Sequence, residues 1–119
     1  MDGKDFIEVA AELANGRTEA HWRSAISRAY YAAFHVAKEA LAKQKVWIPR
    51  SHLGHEAVRN WMLNNKNEDI SSAGSSLANL LTIRGYADYD VATRSVNQND
   101  AMLQLANARA VITSVEKFL

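Results

Sequence analysis

A helical fold follows from residues 23–41, Arg23-Ser-Ala-Ile-Ser-Arg28-Ala-Tyr-Tyr-Ala-Ala-Phe-His35-Val-Ala-Lys-Glu-Ala-Leu41. The stretch contains neither Gly nor Pro and is rich in Ala, which strongly favours a helix. At about 100° per residue most of its circumference is apolar, as is typical of a helix buried on several sides. One narrow stripe of this helix carries Arg28, Tyr31, Ala32 and His35. We therefore predict a central helix that holds a cation, a phenol and an imidazole in register.

Four further helices are predicted from apolar residues that recur at helical spacing. The predicted bounds are about 3–14, 18–43 for the central helix, 51–64, 70–86 or beyond, and 99–118. Thr18 and Ser51 are the predicted N-caps of the second and third helices. Asn15 and Gly16 close the first helix with residue types that tolerate a left-handed C-cap. The prediction is an all-α, four- to five-helix up-and-down bundle that forms a single domain over residues 1–119.

Length, charge and cysteine content bound the class of protein. A chain of 119 residues can form one domain with a real core and is too short for two. The formal net charge of +1 does not indicate a nucleic-acid protein, so any such contact must come from a local basic cluster. The chain has no Cys, which is compatible with a reducing cytosol, and no apolar run of the length that a membrane span needs. We expect a cytoplasmic protein that does not associate with a membrane.

Arg84 lies on the apolar stripe of the fourth helix, seven residues after Leu77 and three after Leu81. An arginine in that position must be paired, because an unpaired buried charge costs several kcal/mol. Asp88, one turn later, is the least costly partner, and a Glu or Asp of another helix is equally possible. The favoured interpretation is a brace that fixes helix register, and the alternative is a group that serves a ligand.

Arg28 and His35 share one side of the central helix, two turns apart. Both could belong to a satisfied polar seam between helices. Both could instead contact one phosphate, because Arg offers a bidentate fork and His moves protons near neutral pH.

The remaining polar and aromatic signals are weaker. His52 and His55 open the third helix without a third ligand at a suitable spacing, so we predict no metal site and consider contact with an anion instead. Lys43, Lys45 and Arg50 form a modest basic patch around one loop, which is more typical of a solvated rim than of a nucleic-acid groove. Trp22, Trp47 and Trp61 are interpreted as packing residues. No Gly-rich phosphate loop or serine nucleophile motif occurs, and no cofactor is expected.

Three blocks of the chain together resemble the small bacterial and archaeal HEPN-domain proteins. They are Ser27-Arg28-Ala-Tyr-Tyr-Ala-Ala-Phe-His35, Ser51-His-Leu-Gly-His55-Glu-Ala-Val58 and Arg84-Gly-Tyr-Ala-Asp88-Tyr89. The resemblance implies a four- or five-helix bundle that forms a homodimer. Many members of the family are metal-independent ribonucleases of toxin–antitoxin, phage-defence or CRISPR systems, often paired with nucleotidyltransferase-like antitoxins. The resemblance implies such an activity and such a partner for this chain.

The family's catalytic signature is an Arg followed, after four to six residues, by a His, with the two copies meeting across the dimer. Arg28 and His35 fit this formula with six residues between them. In the C-terminal half of the bundle, where the motif usually lies, this chain has Arg84, with Tyr89 at the histidine position and Asp88 beside it. A phenol with a pKa near 10 is a poor general base at neutral pH, although it can bind phosphate.

Two hypotheses follow from these residues. The first is an RNA- or nucleotide-binding protein that acts as a metal-independent endoribonuclease toxin beside a nucleotidyltransferase-like antitoxin. Its candidate catalytic residues are Arg28, His35 and Arg84, and its candidate binding or orienting residues are Tyr31, His55, Asp88 and Tyr89. The alternative is a non-catalytic helical subunit that binds a partner within a nucleotidyltransferase or defence complex.

Overall fold

Five α-helices and no strands make up the regular structure in the computed structural model, which describes all of residues 1–119. The helices are α1 (Asp5–Ala14), α2 (Glu19–Lys43), α3 (Leu53–Leu63), α4 (Glu68–Tyr89) and α5 (Gln98–Phe118). The predicted all-α helical bundle is confirmed, with five helices. No helix combines the length and the apolar character that crossing a lipid bilayer requires.

The predicted central helix, α2, is the only helix that packs against all four others. Its 25 residues span about 37 Å at 1.5 Å per residue, close to the longest dimension of the molecule, 41 Å. Ile26, Tyr30 and Leu41 are its largest fully buried side chains. The Ala-rich composition lets neighbouring helices approach α2 closely, since Ala29, Ala33 and other small residues are completely covered.

Side-chain caps set three of the five helix N-termini, those of α2, α4 and α5. Thr18 caps α2 as predicted and accepts a hydrogen bond from the His21 N–H at 3.3 Å. Asn67 accepts from two N–H groups of α4, so that this helix begins at Glu68, two residues before the predicted start. The α3 helix begins at Leu53, later than predicted, and Ser51 accepts from the Leu53 N–H at 3.3 Å from outside the helix.

The end of α1 differs from the sequence expectation. Asn15 has a right-handed φ of −81°, and Lys45 is the only residue of the chain with a positive φ, at 62°. Packing explains the glycine at position 16 instead, because a Cβ there would lie 2.5 Å from the Cβ of His21. The lack of a side chain at residue 16 therefore serves close packing, and the left-handed turn lies after α2.

The three tryptophans are not equivalent. Trp22 and Trp61 are half-buried and pack against the core, which agrees with their interpretation as packing residues. For Trp47 that interpretation is wrong, because this side chain is 81% exposed in the loop between α2 and α3.

The α3–α4 contact depends on Gly74. A Cβ at this position would lie 2.8 Å from the Leu63 backbone nitrogen and 3.0 Å from the Cβ of the fully buried Met62. Because neither atom can move without displacing α3, we expect Gly74→Ala to lower the free energy of unfolding by about 1–3 kcal/mol. Urea denaturation checks this value.

Gly85→Ala is the matched control, since no atom lies within 4 Å of its Cβ position and Ala in an open helix interior stabilises by roughly 0.5–1 kcal/mol. Equal effects of the two substitutions would contradict the packing argument.

Candidate functional site

Most of the predicted site residues come together where α2 meets α1, α3 and α4. We call this group the aromatic–cationic cluster; its members are Phe6, Arg28, Tyr30, Tyr31, Phe34, His35, His55 and Arg84. The rings of α2 form its centre because residues three and four apart share one side of a helix. Phe6 of α1, His55 of α3 and Arg84 of α4 complete it.

His35 lies among the rings on the α1 side of the cluster. Its imidazole stacks on Phe6 with centroids 5.6 Å apart and on Tyr31, one turn earlier in α2, at 6.1 Å. The side chain is half-buried and makes no hydrogen bond within the chain. Both ring nitrogens of His35 are therefore free of protein partners.

His55 is held more tightly, by two residues of α2. Its imidazole stacks on Phe34 at 4.2 Å between centroids, and its Nδ1 lies 2.5 Å from the Tyr30 hydroxyl. Burial raises the pKa of Tyr30 far above its usual value, so this hydroxyl stays protonated and donates to Nδ1. The neutral imidazole then carries its proton on Nε2, the tautomer that the Tyr30 donor selects.

Both imidazoles favour the neutral form more than an exposed histidine does. Burial is the main cause that lowers the pKa of His35, and the nearby Lys38 ammonium lowers it further. Burial also lowers the pKa of His55, followed by the charge of Arg84. A neutral imidazole can accept a proton, as a general base must.

Arg84 forms the predicted ion pair with Asp88, with Nε and Oδ2 3.1 Å apart. Ser27 of α2 donates a hydrogen bond to the same carboxylate oxygen at 3.3 Å. The Arg84 guanidinium carbon also lies 5.0 Å from the centroid of the Tyr31 ring. Arg84 and Asp88 therefore tie α4 to α2, which agrees with the brace that the sequence favoured.

Arg28 and Tyr89 are the two exposed members of the predicted site. The Arg28 guanidinium lies 5.8 Å from the centroid of the Phe6 ring and forms no ion pair, since the three ion pairs of the chain involve Lys4, Arg23 and Arg84. Tyr89, the last residue of α4, is 75% exposed and contacts no ring of the cluster. The structure thus brings Arg28 to the cluster and leaves Tyr89 outside it.

The two histidines at the start of α3 do not share a role. His52 is exposed, whereas Nδ1 of His55 faces Tyr30. No group of three His, Cys, Asp or Glu side chains lies in an arrangement that could hold a metal ion.

Three further residues of α2 lie at the site but were not predicted as site residues from the sequence: Tyr30, Phe34 and Lys38. The Lys38 ammonium lies 5.9 Å from the centroid of the Phe34 ring. A spacing of three residues from Tyr31 to Phe34, and of four from Phe34 to Lys38, would have placed these side chains on the same side of α2. No local signal indicates the Tyr30–His55 bond, because it joins residues 25 apart in the chain.

Arg23 was also missed, and it positions the end of α4. This side chain is almost fully buried and donates hydrogen bonds to the carbonyl oxygens of Tyr86 at 3.1 Å, Ala87 at 2.9 Å and Arg94. It also pairs with Glu19 at 3.3 Å. Arg23 therefore attaches both the last turn of α4 and the segment after it to α2.

The lowered imidazole pKa values predict a pH dependence of stability. Below the ordinary pKa of 6.5 the histidines of the unfolded chain bind protons, whereas half-buried His35 and His55 of the folded chain bind them only at lower pH. The unfolded state thus binds more protons, and the free energy of unfolding is expected to fall as the pH drops below about 6.5. Urea denaturation between pH 7.5 and 5 measures the slope, which His55→Gln should reduce. An identical slope in wild type and His55→Gln would contradict the assignment.

Comparison with known proteins identifies the family of this chain. A family model described as HEPN domain matches residues 2–118. No curated protein and no solved structure gives a significant match. Since the family model covers nearly the whole chain, this protein belongs to the HEPN-domain family.

Proposed function

We propose that this HEPN-domain protein binds RNA at the aromatic–cationic cluster. The observation that carries the proposal is the placement of two arginines against neighbouring rings. Arg28 lies against Phe6 and Arg84 against Tyr31, and these two rings are 6.5 Å apart. Guanidinium groups bind phosphate oxygens and aromatic rings stack on bases, so this combination suits a nucleic-acid strand.

The charge around the cluster supports an anionic ligand. Arg28 and Lys38 form no ion pair. Two carboxylates of the same region already have partners, because Asp88 pairs with Arg84 and Glu39 accepts a hydrogen bond from the Gly3 N–H at 3.1 Å. A surplus of positive charge is therefore left for phosphates, although the net charge of the chain is only +1.

The proposal extends to metal-independent cleavage of the bound RNA. A neutral imidazole of His35 would accept the proton of a ribose 2′-hydroxyl, whose oxygen then attacks the adjacent phosphorus. Arg28 or Arg84 would stabilise the negative charge that builds on the phosphate oxygens. The 5′-oxygen leaves and takes up a proton, so the products are a cyclic phosphate and a 5′-hydroxyl.

The Arg84–Asp88 brace favours a second candidate function, a non-catalytic subunit. In that case the cluster holds the helices together, and the protein acts by binding a partner such as a nucleotidyltransferase-like antitoxin. A homodimer is compatible with both candidates.

Labelled single-stranded RNA separates the two candidates. With EDTA present, fluorescence anisotropy measures binding and gel electrophoresis measures cleavage by the purified wild-type protein. We expect binding that weakens in Arg28→Ala, and cleavage that is lost in His35→Ala while RNA is still bound. Wild-type protein that binds no RNA would overturn the proposal and leave the second candidate. Cleavage that survives in both variants would mean that the residues that cleave RNA lie outside α2.

A further inference from the structure

The loop that joins α2 to α3 presents one tryptophan on a rigid turn. The Lys45 N–H donates to the Ala42 carbonyl and the Val46 N–H to the Leu41 carbonyl, both at 3.0 Å, which together form a Schellman motif. Val46 and Ile48 pack against the core. Trp47, between these two anchors, projects outward and is 81% exposed.

The surroundings of Trp47 are basic. A groove of about 400 Å³ beside the indole is lined by three cations, Lys38, Lys45 and Arg50, and by no acidic residue. No Asp or Glu occurs anywhere from residue 40 to residue 55. A single exposed apolar side chain is ordinary, but an exposed indole within an uncompensated basic groove combines a stacking platform with phosphate-binding charges.

Lys45 adds an independent observation. It occupies the left-handed position of the Schellman motif, with a φ of 62°, where Gly avoids the steric strain of a side chain. The stability of the turn alone would favour Gly at this position. A lysine in this conformation, which costs stability in the turn, lines the groove and adds a cation to it.

Lys38 lies between the groove and the aromatic–cationic cluster. Lys38 lines the groove, and its ammonium lies 5.9 Å from the centroid of the Phe34 ring. Phe34 in turn stacks on His55 at 4.2 Å. A strand bound at the cluster can therefore continue along α2 toward the loop.

We propose that the loop of residues 44–52 binds the continuation of a single RNA strand, with an unpaired base stacked on Trp47 and phosphates on Lys45 and Arg50. The inference rests on the proposed function and narrows its ligand to unpaired RNA. A duplex does not fit this site, because its bases already stack on one another and their faces are closed to an indole. An acidic peptide would satisfy the cations but would gain less from the exposed ring.

Binding of an eight-nucleotide single-stranded RNA tests the inference through Trp47. Trp47→Ala is expected to weaken binding by about 5- to 100-fold, the range found when one base-stacking aromatic is removed. Trp47→Phe, which keeps a smaller ring, should lose less affinity. Wild-type tryptophan emission should be quenched by RNA, and Trp47→Phe should lose most of that signal, because Trp22 and Trp61 lie half-buried elsewhere. A blunt duplex of the same length should bind more weakly than the single strand.

Lys45→Gly separates binding from folding. The substitution relieves the left-handed strain, so the variant is expected to unfold at a higher temperature than the wild type. It also removes one phosphate contact, so RNA binding should weaken by about 2- to 5-fold. The slope of log K against log salt concentration should become less steep by about 0.7, the contribution of one phosphate contact on a single strand.

The possible failures are distinguishable. Loop variants that bind single-stranded RNA as the wild type does, while Arg28→Ala binds weakly, would overturn the inference and leave the proposed function intact. Equal affinity for duplex and single strand would also overturn it, and so would an acidic peptide that displaces the RNA at equal concentration. If the wild type binds no RNA, both the inference and the proposed function fail.

Discussion

Arg23→Met is expected to lower the free energy of unfolding by about 3–5 kcal/mol, the largest loss of stability among the substitutions considered. Methionine preserves much of the buried volume but donates no hydrogen bond. The carbonyl oxygens of Tyr86, Ala87 and Arg94 would each lose a donor, and the Ala87 bond is itself buried. Glu19, which also accepts from the Val96 N–H at 2.6 Å, would lose its cationic partner.

Urea denaturation followed by circular dichroism measures this loss. Arg17→Met is the matched control, because Arg17 is exposed and makes no side-chain hydrogen bond or ion pair, and such surface changes stay within about 0.5 kcal/mol. Arg23→Lys should lie between the two, since an ammonium keeps the charge but cannot reproduce the fork that reaches several carbonyls. A loss for Arg23→Met close to that of the control would mean that water replaces the guanidinium at these carbonyls.

The second large effect is expected in RNA binding. Arg84→Gln should weaken binding of single-stranded RNA by about 10- to 100-fold, because a hydrogen bond to a charged group contributes about 1.5–3 kcal/mol. The prediction follows from the guanidinium lying 5.0 Å from the Tyr31 ring centroid, beside the surface on which a base would stack. If the protein also cleaves RNA, the rate should fall further than the affinity, since charge on the phosphate oxygens increases in the transition state.

Asp88→Asn provides the control, because it breaks the same ion pair from the other side. Both variants remove the Arg84–Asp88 attraction and should lose stability, since the two side chains are only 19% and 26% exposed. Asp88→Asn should lose more, because it leaves a largely buried guanidinium without its carboxylate. Asp88→Asn nevertheless leaves the guanidinium in place and removes a carboxylate that repels phosphate. Its RNA affinity should equal or exceed that of the wild type. Equal loss of affinity in both variants would make the pair a brace alone and favour the partner-binding subunit.

The elements that local sequence controls were predictable. The apolar, Ala-rich pattern of residues 23–41 specified a buried central helix, and Thr18 capped it as expected. The Arg84–Asp88 pair followed from a spacing of four residues, which places two side chains together on any helix. Each of these features depends on backbone geometry within a few turns, so the residues involved carry the whole signal.

The remaining features depend on how the helices pack. The Tyr30–His55 bond and the Arg23 bonds to the end of α4 join residues 25 to 71 positions apart, and no spacing rule relates such positions. Likewise, Trp47 is exposed because Val46 and Ile48 on either side of it are anchored in the core after the left-handed turn at Lys45. Periodicity specifies which side of a helix is apolar, but it leaves open which neighbour covers that side. The partners of the buried polar groups and the direction of the loop tryptophan therefore became visible only when α1, α3 and α4 were packed around α2.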